Sequence, residues 1–441
     1  MSQILELLEQ SLKKSSADQT ELVCEREEFY LTRFAESIIH QNIGRTDHTL
    51  WCRAVVGKKV GVAKTNILSQ ESIDDLISKA IEICSGQVDD PQFDSLVKSQ
   101  QAPGTEGFFE TTANYTPQQR AQAVKAVADI ADQDGLKASG MFQTSQTELT
   151  VANNLGTRQQ GQITEARMSV TVSDDADRAG FAQAYSRNVE IIEFDKIARQ
   201  AVQKANKPAP PVNLEPGTYT VILEPEAVAD FLLFLGFLGF GGKGFVTRRS
   251  FMTGKLGTQI MSENITIAED PFHPVMKYMS FDYEGVPRRK IAIVDKGIAR
   301  GAVYNSYYAK LNDTESTGNA LQPDNSYGPY PKAMVMEPGT KSLEEIIAST
   351  ERGIFITHFW YLNFVNPMRT TVTGTTRDGR FLIENGRIVS PVSDMRINQS
   401  MLEAFNNAEL ISKERRLVYK YSVLMYVPAM KINNFNFVSV E

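Results

Sequence analysis

Apolar positions near the start of the chain recur at helical spacing from Leu5 to Lys13, then give way to alternation of polar with β-branched and aromatic residues. That alternation predicts strands over Glu25 to Asn42 and His48 to Thr65. Helical spacing returns from Ser69 to Ser85, where Ile73, Ile77, Ala80, Ile81 and Cys84 fall three and four apart and Ser72 stands before Asp74 and Asp75 as an expected cap. A stretch rich in Gln, Pro and Gly follows to Gly107. A second unit of similar plan opens at Thr116-Pro117, a cap followed by proline, and its helix carries Ala121, Val124, Val127, Ala128 and Ile130. Lys137 to Asn188 then reads as an antiparallel meander with a turn at Asn154 to Gly156, followed by an amphipathic helix from Phe194 to Lys207.

The proline-rich KPAPPVNLEPG, with Pro208, Pro210, Pro211 and Pro216, predicts an extended linker. Beyond it come a strand from Thr218 to Glu224 and a segment, Ala227 to Gly239, that is apolar on nearly every face and therefore predicts a buried central helix. The remainder reads as strands, with turns at Asp282 to Gly285, Arg377 to Gly379 and Glu384 to Gly386 and a long loop from Tyr304 to Pro331 of the kind that often binds something. The expected fold is α+β: a mixed N-terminal region of antiparallel strands and helices, then a strand-rich C-terminal domain around one buried apolar helix. The expected organisation is 1–107, 108–207, a linker at 208–216, and 217–441.

The 441 residues carry 46 Lys plus Arg against 53 Asp plus Glu, a formal charge of -7. A surplus of anions argues against a nucleic-acid partner. Ala227 to Phe240 is interrupted by Asp230 and Gly353 to Val365 by His358, so no apolar run reaches the roughly 18 to 20 residues of a membrane span. The first residues lack a secretory signal, and Cys24, Cys52 and Cys84 form an odd set that suits a reducing compartment. A cytoplasmic location is expected.

Several patterns with chemical meaning also have plain structural readings. Gly239, Gly241 and Gly244 spell a dinucleotide fingerprint, but an apolar helix rather than a strand precedes them, which favours glycines that end a helix and admit close packing. Asp47, His48 and Cys52 have metal-ligand side chains, yet on a strand four residues span about 13 Å, too far for one zinc. His40, His273 and His358 are isolated, there is no histidine between His48 and His273, and no GxSxG or His-Glu-x-x-His occurs. Asp282 and Glu284 read as turn acids or as a carboxylate pair.

Read in order, TRFAESIIHQN, FDYEGVPRRKIAIVDKGIARG (Phe281 to Gly301), YYAKLNDTESTGNA ending in Ser316-Thr317-Gly318-Asn319-Ala320, GIFITHF, TTVTGTTRDGRFLIENGRIVSPVSD and VPAMKI (Val427 to Ile432) resemble the TldD/PmbA family, metallopeptidase-related proteins once named as modulators of DNA gyrase. The last two look most like its PmbA (TldE) branch. The resemblance implies an N-terminal α+β region, a strand-rich C-terminal domain and dimerisation. It also implies that a TldD-like chain holds zinc through His-Glu-x-x-x-His on a helix and a later cysteine, with the metal activating water and the Glu acting as base.

The matching helix here, AVADFLLFLGFLGF, has Phe, Leu and Gly instead, and no cysteine follows Cys84. The expectation is therefore a TldE-like subunit with no cofactor of its own and no catalytic residue assigned. Such a subunit pairs with a zinc-bearing TldD-like partner, or with itself, and positions unfolded or small peptides for proteolysis. Asp282, Glu284, Gly285, Ser316, Thr317, Gly318 and Asn319 are its candidate groove or interface residues. Two other readings are a peptidase in its own right, either metal-free or with ligands relocated to His40, His48 and Cys52, and a non-enzymatic protein regulating a topoisomerase.

Overall fold

Alternation along β1 (Gln19–Ala35) sends Leu22 and Cys24 into one apolar core and Val23 into another, so this strand is buried on both faces where the two halves of the molecule meet. A computed structural model describes residues 3–175, 178–206 and 210–439 of the chain. Lys207 and Pro208, at the end of the expected helix and the start of the expected linker, lie outside the described residues.

β1 belongs to an antiparallel six-stranded sheet with β2 (Ile38–Val56), β3 (Lys59–Thr65), β4 (Lys137–Asn153), β5 (Arg158–Ser173) and β6 (Ala179–Ser186), in the order β3-β2-β1-β4-β5-β6. Because β1 pairs with β4 from Glu21↔Asn153 to Phe34↔Gly140, strands from either side of residue 107 share one sheet. Helices α1 (Gln3–Leu12), α2 (Gln70–Ser85), the single turn α3 (Glu110–Ala113), α4 (Pro117–Gln133) and α5 (Phe194–Ala205) complete this half. The cap of α2 is Ser69 and not Ser72: Ser69 is extended, at φ -135°, which aims its hydroxyl at the Ser72 amide. Thr116 does cap α4, in a reciprocal box with Gln119.

The C-terminal half is an eleven-stranded mixed sheet of β7 (Gly217–Leu223), β8 (Ile267–Glu269), β9 (Ile291–Asp295), β10 (Ile298–Ala299), β11 (Ala333–Met336), β12 (Arg352–Asn366), β13 (Thr371–Glu384), β14 (Arg387–Pro391), β15 (Arg396–Ser400), β16 (Ala408–Lys420) and β17 (Val423–Val438). β7 pairs with β12 in parallel and with β17 antiparallel, which closes a circuit β17-β15-β13-β12-β7. Against it lies α6 (Pro225–Leu235), with Ala227, Val228, Phe231, Leu232 and Leu235 wholly buried. Each such large side chain contributes roughly 1.5–3 kcal/mol of burial free energy. Phe231 stacks on Phe359 at 5.2 Å and on Phe435 at 5.9 Å between ring centroids. The expected buried central helix is present. Among the described residues no helix is long and apolar enough to cross a membrane.

Candidate functional site

The acid turn Asp282 to Gly285 and the segment Ser316 to Asn319 come together as one buried knot. Asp282 accepts the Glu284 and Val286 amides at 2.9 Å each through Oδ1 and the Ala320 amide at 2.8 Å through Oδ2, so one carboxylate closes the turn and pins the second segment. Gly285 sits at φ +75°, where a Cβ would lie 2.6 Å from the Thr157 methyl; the turn therefore both needs glycine and packs on β5's approach. Thr317 donates from Oγ1 to the Tyr304 carbonyl (3.0 Å) and to Asn319 Oδ1 (2.8 Å), and Asn319 Nδ2 donates to Glu269 at 2.9 Å. Ser316 Oγ donates to the same Tyr304 carbonyl at 3.2 Å, and Gly318 lies against the Pro287 backbone. These groups hold the loop after Tyr304 in place. That loop is less irregular than its composition suggests, since α8 (Ser306–Leu311) forms within it, capped by Asn305.

Glu284, beside this knot, reaches outward. It lines a cavity of about 250 Å³ between the six-stranded sheet and the C-terminal half. Its carboxylate accepts the Ser306 amide at 2.9 Å and meets Arg53 Nη1 at 3.4 Å, while Arg53 donates to Glu21 Oε1 at 2.5 Å. Burial pushes the Glu21 carboxyl up from its ordinary value against the opposing pull of Arg53, and among the described residues its Oε2 has no hydrogen-bond partner. Trp51 Nε1 donates to Asp324 at 2.9 Å nearby. Polar groups thus tie sheet to domain around the cavity.

The helix that the resemblance singles out ends in an unusual way. After Leu235 the backbone widens into a π turn over Gly236–Phe240 before α7 (Gly242–Val246). A π turn stacks residues five apart, the spacing of the two histidines in His-Glu-x-x-x-His. The turn itself offers Leu238, half-buried, and Phe237, 47% exposed, and the last turn of α6 before it offers Phe234, half-buried. Phe234 meets Phe364 at 4.8 Å and Phe237 meets Tyr330 at 4.9 Å. Carbon side chains give a metal no lone pair, so zinc does not fit the residues present at this turn. Gly239 is demanded by packing, because a Cβ there would lie 2.2 Å from the Phe251 ring, which is the close approach expected of a glycine ending a helix.

The polar residues of α6 were harder to foresee. Glu226 binds Arg416 at 2.9 Å, Asp230 pairs with Lys420, and Glu224 at the helix start meets Lys204 at 2.6 Å. Glu226 and Asp230 share one face of the helix and Arg416 and Lys420 one face of β16, but four residues rise about 6 Å on a helix and about 13 Å on a strand, so sequence spacing alone did not pair them. His40 is exposed at the extra residue where the β1–β2 register shifts, His48 lies further along the same strand, and Cys52 is wholly buried beneath the helices. Burial pushes the Cys52 thiol up, away from the thiolate a metal needs. Among the described residues no three His, Cys, Asp or Glu side chains converge as metal ligands.

Two family models match the chain: the PmbA/TldA metallopeptidase C-terminal domain over residues 216–439, and domain 1 of the same metallopeptidases over residues 20–84. A relative from Haemophilus influenzae, named as a metalloprotease TldD homolog, is 23% identical over 87% of this chain and 83% of its own length. A metalloprotease PmbA homolog from Buchnera aphidicola is 23% identical over 58% of this chain and 56% of its own. The solved structure of TldE from Thermococcus kodakarensis superposes with a TM-score of 0.89 at 23% identity, covering 99% of both chains. A Thermotoga maritima structure whose name proposes a modulator of a DNA gyrase superposes at 0.87 with 18% identity, again over 99% of both. With one model spanning more than half of its residues, the chain belongs to the PmbA/TldD family of metallopeptidase-related proteins.

Proposed function

We propose that this chain is a TldE-like subunit that holds no zinc and, paired with a zinc-bearing TldD-like partner, encloses and positions unfolded or small peptides for proteolysis in the cytoplasm. The observation that carries the reading is the π turn after α6, which has the backbone spacing of a two-histidine grip and only aromatic and aliphatic side chains on it. A strip of exposed apolar residues beside that turn supports a partner: Phe237, Trp360, Tyr361, Phe364, Val365 and Met368, the last 80% exposed. Patches of this kind on a soluble surface mark interaction sites. Self-association would use the same strip. The chain is to be purified alone and together with a TldD-like chain, and hydrolysis of an unfolded peptide followed with and without chelator. The pair cleaves and chelator stops it, while the lone chain is inactive. Equal cleavage by the lone chain, surviving chelator, would overturn the proposal.

A further inference from the structure

A second cavity, of about 160 Å³, lies between the middle of β1 and the C-terminal half. Its floor is one face of the six-stranded sheet. The pairings Glu25↔Leu149, Glu27↔Thr147 and Thr147↔Ile163 put Glu25, Glu27 and, two residues beyond Ile163, Glu165 on that face. Its roof, from the C-terminal half, includes Arg288 and Lys332. The two walls therefore carry opposite charge. Tyr283, also on the roof, donates its hydroxyl to Glu25 and accepts from Gln322 at 3.1 Å.

The cations of the roof are under-used by the protein itself. Arg288 is 5% exposed; its Nε donates to the Phe281 carbonyl at 3.3 Å, but its Nη1 has no hydrogen-bond partner among the described residues and meets the Glu269 carboxylate only at 3.6 Å. Glu269 already accepts from Asn319 and from the Lys332 and Ala333 amides. The Lys332 ammonium makes no hydrogen bond or ion pair among the described residues. A buried donor without a partner is costly, so Arg288 Nη1, with the half-buried Lys332 ammonium beside it, gains from a ligand that supplies acceptors. On the floor, Glu165 is held by Arg187 at 2.9 Å and Tyr185 at 2.7 Å, Glu27 by Arg45 at 3.0 Å, and Glu25 by the Tyr283 hydroxyl, with the Lys332 charge acting on it from the roof. The floor keeps a net negative charge beside Glu25.

We infer that this cavity binds a small zwitterion, a free amino acid or dipeptide, with its carboxylate on Arg288 and Lys332 and its ammonium on Glu25. Size agrees: the space is smaller than the ~300–1,000 Å³ of drug-sized sites and suits a molecule with both charged ends close together. Burial, with the Arg288 charge second, brings the Lys332 ammonium down to about 8 against the opposing pull of Glu269 and Glu25, and an entering carboxylate adds to that pull. The site lies on this chain alone, so the inference goes beyond the subunit reading and its test involves no peptidase assay.

Calorimetric titration of the full chain with glycylglycine, N-acetylglycylglycine, glycylglycinamide and tetraglycine tests it. Glycylglycine is expected to bind, and blocking either end or lengthening the chain is expected to weaken binding at least about tenfold, roughly 1.4 kcal/mol. Lys332→Met should erase the preference over the amide, and Glu25→Gln the preference over the acetylated peptide. The wild-type ligand series stands without the variants should either fail to fold. No detectable binding of glycylglycine, equal affinity for free and blocked ends, or tetraglycine binding as well as the dipeptide would each overturn the inference.

Discussion

Asp282 shows how one side chain can be read correctly in outline and still surprise in its surroundings. Its place in a turn was legible, because Asp followed by Gly three residues on is turn chemistry, but its burial and its grip on Ala320 depend on a segment 38 residues away. Burial, and the Glu284 charge second, push the Asp282 carboxyl up to about 7, while its backbone amides pull the other way. A carboxyl whose folded value lies above its unfolded value binds more protons in the native state, so its contribution to stability is full below about 4 and is lost as pH rises through 7. Urea unfolding from pH 4 to 8 should show this fall in the wild type. In Asp282→Asn the curve should be flatter over that window, starting roughly 1–3 kcal/mol below the wild type at pH 4 because the Ala320 amide loses its acceptor, and the gap should close as pH rises through 7. A slope unchanged by the substitution would contradict the assignment. The other candidates of this region, Thr317 and Asn319, are likewise buried in the knot, and polar composition alone gave no sign of it.

At the level of elements, periodicity carried most of what could be known. Helices at Ser69 to Ser85 and Thr116 onward, the meander after Lys137 and the buried rod after Ala227 all follow from spacing, because a period of 3.6 or 2 is local. The widening of α6 into a π turn and its ion pairs with β16 are not local, since Glu226 and Arg416 are 190 residues apart. Despite burial, the Arg416 charge holds the Glu226 carboxyl below its usual range. Arg416→Ala should therefore leave a buried, uncompensated carboxylate and cost about 3–5 kcal/mol by urea unfolding. The double change Glu226→Gln with Arg416→Met should recover much of that loss. A single variant as stable as the wild type would mean the pair does not anchor the helix.

For the whole molecule, the proline-rich stretch before Gly217 was the clearest landmark in the sequence; within it Val212 bridges to Val392, and β7 starts at Gly217. What no single segment could reveal is that β1 and β4, on either side of Gly107, lie side by side in one sheet. Pairing across that separation is fixed by the fold and not by either strand's own pattern. The same long-range assembly creates the junction where Arg53 meets Glu284 and where both cavities lie. Family membership sets the expectation of zinc chemistry, and the side chains after α6 set the expectation that this chain does not hold the metal. Zinc content of the untagged chain, purified alone and analysed by plasma mass spectrometry after dialysis against zinc, tests that division most directly. Far less than one zinc per chain is predicted. One tightly held zinc per chain would contradict the account.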